Sequence, residues 1–218
     1  MMSKNLSGYQ IRKCIRSECG LRYPYIDDYT FGTRCPRCAG ETTLILRGER
    51  HGDGQSEIAA QPGNPIEALL DNIRSAWNVG SMFRTADGAG ICRMHLCGIT
   101  PTPENPDVIK TSLGAEKSIA WSWQADSVIT GKRLREEGYQ LWALEEDSRS
   151  EPMFAMPERG GTKPVVLVVG NEVCGIDPGL LEICERVFYI PMVGIKRSFN
   201  AAVAFGIAAH YLAWNRDN

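Results

Sequence analysis

The spacing of apolar positions divides the chain near residue 60. Beyond that point, short apolar runs recur at 65–71, 93–98, 140–144, 165–169 and 187–191. Each run is too short for an ordinary helix and is bounded by Gly, Pro or polar clusters. Each therefore reads as a strand. The run 165–169, VVLVV, has no polar position and is expected to be buried on both faces. Longer mixed segments lie between the runs. Asn78 fits a helix N-cap, and Gly88-Ala89-Gly90 a helix stop. Residues 108–119 read as helix with a break at Gly114, and 127–138 as helix with the charged cluster KRLREE on its outer face. Asp177-Pro178 opens a short helix, with Asp as cap and Pro in the first turn. Residues 145–163 form a long polar loop, and 192–197 a shorter one containing Gly194. Ser198 starts the last helix, whose many Ala residues and Gly206 allow close backbone approach.

Strand and helix alternate, so the expected class is α/β, a mostly parallel sheet with helices on both faces. In such a sheet the loops following the strands gather at one edge, where ligands bind. Gly170-Asn171-Glu172 and 192–197 are expected there.

The first fifty residues follow another pattern. Cys14, Cys19, Cys35 and Cys38 stand as C-x4-C-x15-C-x2-C. Two thiol pairs on turns, joined by hairpin strands, suit tetrahedral zinc. Gly20 and Pro36 are turn residues placed for such knuckles. A module this small buries little core, so metal would supply its folding energy. Residues 1–48 are therefore expected to be a zinc ribbon with a structural Zn2+. Residues 49–63 lose periodicity and read as a linker, and 64–218 form the second domain.

Composition adds a charge asymmetry. The formal net charge is −2, yet residues 1–50 carry nine Lys/Arg against five Asp/Glu. The ribbon's arginines are interleaved with Tyr23, Tyr25 and Phe31, a pattern that fits RNA contact as well as an ordinary solvated surface. No apolar run is long enough to span a bilayer, and the N-terminus lacks the apolar core of a signal peptide. A cytoplasmic protein is the expectation, and there the eight cysteines suit metal or core roles better than disulfides. Neither G-x-G-x-x-G nor a P-loop is present, so no dinucleotide or nucleoside triphosphate site is indicated.

Three ordered segments resemble the motifs of the SpoU (TrmH-like) branch of the SPOUT RNA methyltransferases. They are Asn72 to Asp87, NIRSAWNVGSMFRTAD; Val169 to Ile176, VGNEVCGI; and Ile190-Pro191-Met192 with Ser198 to Ala204, SFNAAVA. The resemblance covers 65–214 and leaves the ribbon outside. It implies a C-terminal trefoil knot, a homodimer, and S-adenosylmethionine held by loop backbone. The implied reaction is methyl transfer to a ribose 2′-hydroxyl of tRNA or rRNA. Carried over by motif, the catalytic set is Arg84, Asn78, Glu172, Ser198 and Asn200. Gly170, Ile190 and Phe199 would contact the cofactor, with Leu144 and Met192 from neighbouring loops. Arg84 stands where the family's proposed base stands; its alternative role is to bind the target phosphate and polarise the hydroxyl. Phe199 departs from the Leu usual there. The alternative to an enzyme is a non-catalytic knotted dimer that grips RNA or a ribosomal partner.

Overall fold

The computed structural model describes residues 8–26, 32–49, 65–155 and 163–215. The chain divides into two compact units, Met1–Ala59 and Ala60–Asn218. All but Glu49 of the segment expected as a linker lies outside the described residues, as does Phe31.

In the first unit, β1 (Tyr9–Cys14), β2 (Arg22–Ile26) and β3 (Thr42–Gly48) form an antiparallel sheet in the order β2-β1-β3. The two turns carrying the cysteines are tightly hydrogen-bonded. The Cys19 and Gly20 N–H groups both donate to the Arg16 carbonyl, and Ala39 N–H donates to the Cys35 carbonyl. Gly20 (φ 54°) and Ala39 (φ 55°) are left-handed, which turns the chain back so that each pair points inward.

The second unit contains β4 (Ile66–Asp71), α1 (Ala76–Ala89), β5 (Arg93–Cys97), α2 (Pro106–Ser112), β6 (Ala120–Gln124), α3 (Ser127–Glu136), β7 (Gln140–Leu144), β8 (Glu151–Pro152), β9 (Val165–Val169), α4 (Pro178–Glu182), β10 (Arg186–Tyr189) and α5 (Ala201–Trp214). The seven strands pair in parallel in the order β6-β5-β4-β9-β7-β10-β8. Central β9 alternates between two cores. Val165, Leu167 and Val169 join Phe83 of α1 and Phe205 of α5 on one face; Val166 and Val168 join Leu134 of α3 and Leu180 of α4 on the other. All five β9 side chains are buried, each worth roughly 1.5–3 kcal/mol relative to exposure. The expected two-faced α/β sheet is present. Among the described residues no helix is long and apolar enough to cross a membrane.

The local differences from the sequence reading have physical causes. Helix α1 begins three residues early, because Ser75, not Asn78, supplies the capping oxygen. Helix α5 begins late: Asn200, not Ser198, caps it, accepting from the Ala202 and Val203 N–H groups. Strand β6 leaves no clear apolar run in the sequence because it is a half-exposed edge. The loop 145–163 contains the short strand β8 and a 3-10 turn, Met153–Ala155, within its described part.

Candidate active site at the carboxyl edge of the sheet

Because β4, β9, β7 and β10 are parallel neighbours, their carboxyl ends share one edge. Leu70 pairs with Val169, Val169 with Leu144, and Leu144 with Phe188. Backbone geometry then shapes the loops. Asn72 is left-handed (φ 56°), which Asn tolerates better than most residues, and it turns β4 sharply into α1. Its side chain accepts from Ile99 N–H and donates to Asp71. The buried Asp71 carboxylate also accepts from Asp177 N–H at 2.7 Å, tying the loop after β9 to the end of β4. Asn171 donates to the Asn72 carbonyl at 2.7 Å, and its side-chain oxygen caps Val173 and Cys174. Glu145 accepts from Ile176 N–H at 3.0 Å.

Three residues from the three motif segments meet on this scaffold. Glu172 accepts from Arg74 N–H (2.9 Å), Ser75 N–H (3.1 Å) and the Asn78 amide (2.9 Å). Asn78 in turn accepts from the Asn200 amide at 3.1 Å. Asn200 then caps α5. An ionised carboxylate only accepts, so it fixes the orientation of both amides down the relay. Partial burial pushes the Glu172 carboxyl upward in pKa. Hydrogen bonds from Arg74 N–H, its own N–H, Asn78 and Ser75 N–H outweigh that, and the group lies below its ordinary value. Both carboxylate oxygens are engaged, so Glu172 is an anchor and a poorly placed proton acceptor. A cavity of about 380 Å3, lined by Arg74, Ser75, Asn78 and Glu172, opens beside the relay.

The other expected residues are arranged differently. Arg84 is exposed, two turns along α1 from Asn78, with no hydrogen bond or ion pair among the described residues. Ser198 is exposed and joins neither the relay nor the cap of α5. Gly170 is required by its own chain: a Cβ there would collide with the backbone of Gly175 and Ile176. Leu144 and Ile190 are half-buried against the core at adjacent strand ends. Met192 is half-buried and Phe199 is 40% exposed. Among the described residues, 192–199 make no hydrogen bond, leaving their backbone donors available. Such a set, apolar side chains at strand ends beside free loop N–H groups, fits an adenosine-bearing cofactor. The ties made by Asp71, Glu145 and Asn171 have only one signal in the sequence, a polar residue at or near the end of a strand.

In the first unit, all four sulfurs of Cys14, Cys19, Cys35 and Cys38 lie within 4.8 Å of one another. Cys14 and Cys38 are 3.5 Å apart, Cys19 and Cys35 3.7 Å. Tetrahedral zinc with bonds of about 2.3 Å needs sulfurs about 3.8 Å apart, so these residues would hold it with a closed shell. Burial pushes the Cys14 thiol up to about 12. Burial also opposes ionisation of Cys35, but hydrogen bonds from the Cys38 and Arg37 N–H groups and neighbouring thiols bring it down to about 7.

The fold and site define an α/β protein with a polar relay and a loop-built ligand site at one sheet edge. Profile comparison is more specific: the SpoU rRNA Methylase family matches residues 65–210, and the chain belongs to that family. A tRNA (guanosine(18)-2'-O)-methyltransferase of Thermus thermophilus is 28% identical over 153 residues, 69% of this chain and 75% of that protein. A 23S rRNA (guanosine-2'-O-)-methyltransferase of Vibrio parahaemolyticus is 28% identical over 151 residues, and this chain spans 60% of its length. Among solved structures, an AdoMet-bound rRNA methyltransferase from Sinorhizobium meliloti superposes with a TM-score of 0.63 at 28% identity, covering 76% of this chain and 62% of that one. An A. aeolicus TrmH/SpoU tRNA modifying enzyme superposes with a TM-score of 0.63 at 24% identity, covering 72% and 77% of the two chains.

Proposed function

We propose that this protein is an S-adenosylmethionine-dependent RNA methyltransferase acting on a ribose 2′-hydroxyl of tRNA or rRNA. The observation that carries the reading is the Glu172–Asn78–Asn200 relay, which joins all three family segments beside the strand ends. The named relatives methylate guanosine 2′-oxygens, and the Sinorhizobium meliloti structure holds AdoMet.

In this reaction the methyl group passes from the sulfonium sulfur to the ribose oxygen, the sulfur leaves as the thioether of S-adenosylhomocysteine, and the hydroxyl proton passes to water. The protein's task is mainly alignment. Leu144, Gly170, Ile190, Met192 and Phe199 border the cofactor site. Asn78 and Asn200, held by Glu172, position the ribose. Arg84, an exposed cation without an ion-pair partner among the described residues, grips the phosphate beside the target and polarises the hydroxyl. Ser198 adds a hydroxyl at the mouth of α5. The working unit in this reading comprises residues 64–218, including the trefoil knot the family implies. It is a cytoplasmic homodimer: the uncharged α5 leaves Val203 and Trp214 exposed, and a largely apolar groove of about 780 Å3 runs past Phe154, Val203, Ile207 and Tyr211. Residues 1–48 are a zinc-bound RNA-docking appendage, and 49–63 its linker.

The test is transfer of labelled methyl from S-adenosylmethionine to total RNA from cells lacking the protein, followed by nucleoside analysis. Label in 2′-O-methylated ribose, absent with Arg84→Ala, is expected. Cofactor binding without transfer to any RNA would favour the non-catalytic dimer, and label on a base would overturn the reaction.

A further inference from the structure

Beside the relay, one patch of the second unit is built in a way the methyl-transfer reading leaves unexplained. Trp77, in the first turn of α1, is 54% exposed. A large aromatic of this kind ordinarily contributes its area to a core. Here it faces outward, next to the Asn78 that carries the relay. Its position is set by helix packing. Gly80 lets α2 press onto α1 so closely that a Cβ there would strike Thr111 and the Val108 carbonyl. The Thr111 hydroxyl also donates to the Trp77 carbonyl at 3.3 Å. This contact brings Lys110 of α2 over the indole, with Nζ 5.1 Å from the ring centroid. Arg74, immediately before the α1 cap, is exposed, and its side chain has no hydrogen bond or ion pair among the described residues. It lines the cavity beside Glu172 and Asn78. One aromatic face, a cation held over that face and a second unpaired cation thus flank the relay.

We propose that Trp77, Lys110 and Arg74 form a nucleotide-gripping platform: an unpaired base of the RNA displaces the exposed Lys110 ammonium from the indole face and stacks there, and Lys110 and Arg74 hold its flanking phosphates. The proposal rests on the reading of RNA as substrate and adds the residues that present the strand to the relay. The chemistry follows from the patch. A base offers a flat π-face to an indole whatever its sequence. Lys and Arg contacts to phosphate position the strand without reading it. Sugar and base are adjacent in a nucleotide, so a base held at Trp77 brings a ribose toward Asn78. These are positioning residues: none of them is assigned a bond-making step.

The test uses the full-length zinc-loaded protein and three labelled twelve-residue single strands: oligo(A), oligo(U) and an abasic strand of equal charge. Affinity is read by fluorescence anisotropy across a salt series. Wild type is expected to bind oligo(A) about ten-fold more tightly than the abasic strand, and Trp77→Ala to erase that difference. Trp77→Phe should retain most of it. Lys110→Ala and Arg74→Ala should weaken all three strands alike and each lower the slope of log K against log salt by about one. Calorimetric affinity for S-adenosylmethionine should be unchanged in every variant. An undiminished base preference in Trp77→Ala would overturn the proposal. So would a change in sedimentation coefficient on that substitution, since Trp77 would then belong to the contact between two copies of the chain. Should Trp77→Ala not fold, Trp77→Leu, which keeps apolar bulk without a π-face, takes its place and is expected to erase the same difference; a preserved difference there would overturn the proposal. None of these readouts needs methyl transfer, so a failed transfer assay sinks the reaction and leaves the platform to be judged separately.

Discussion

The two units of this chain reach order by opposite means. In the first, the buried apolar side chains among the described residues are Cys14, Tyr25 and Cys35, and two of those are members of the thiol cluster. Leu44, Ile45 and Leu46 on β3 are 39–51% exposed, so neither face of that sheet is sealed. In the second, a sheet is covered on both sides, and long-range hydrogen bonds tie its loops to the strand ends. One unit is organised around four sulfurs, the other around apolar area. The contrast separates what metal can control from what the site depends on.

The largest way to sharpen this contrast is to remove the metal. Chelation, or Cys35→Ser, is expected to cost the first unit on the order of 10 kcal/mol and unfold it. In a two-dimensional NMR spectrum the signals of residues 8–49 should collapse while those of 65–215 hold. A ribbon that keeps its dispersion without metal would break the comparison.

The converse experiment acts on the sheet. Leu167 is fully buried at the centre of β9. Leu167→Ala is expected to cost about 2–5 kcal/mol, read as a lower denaturant midpoint for the second unit, with zinc content unchanged.

Gly170→Ala should follow in size. Its new Cβ has only backbone to push against, at Gly175 and Ile176. The loop must open, at a cost of about 1–3 kcal/mol. Weaker S-adenosylmethionine binding in calorimetry is the expected outcome, with the zinc site silent. Unchanged binding would remove this loop from the cofactor site.

How much of this could be read beforehand depended on whether the signal was local. Strand β9 was legible because five consecutive apolar residues need burial on two faces. The cysteine cluster was legible because spacing alone brings thiols together. Helix starts were displaced by a few residues because Ser75 and Asn78, like Ser198 and Asn200, are equally good capping types; the fold decides which one caps. Strand β6 carries Trp121 and Trp123 at a half-exposed edge, so its pattern never became a clear run. Asn78, Glu172 and Asn200 could be named from motifs. Their mutual hydrogen bonds could not, since 94 residues separate the first two and 122 the first and last. Asp71 and Glu145 gave no signal as loop anchors, because a carboxylate near a strand end is commonplace until a distant N–H arrives to meet it.

The smallest expected effect is also the most specific to the site. Glu172→Gln replaces two accepting oxygens by one and places an amide donor where N–H groups already point. At this exposed position the cost to stability should be only about 1 kcal/mol, or about 2–4 °C in Tm. The effect on orientation should be larger. Without an obligate acceptor, Asn78 is free to rotate its amide, and its contact with Asn200 goes with it, so methyl transfer should fall by more than the stability loss explains. The pH dependence gives an independent check. The folded-state pKa of Glu172 lies below its ordinary value of 4.5. Its contribution is therefore complete above that value and is lost as pH falls through the lowered one. Wild type and Glu172→Gln should differ in Tm by a constant amount at neutral pH and converge in acid. A gap that persists in acid would mean that the Gln side chain disturbs packing, and the carboxylate would no longer be the anchor of the relay.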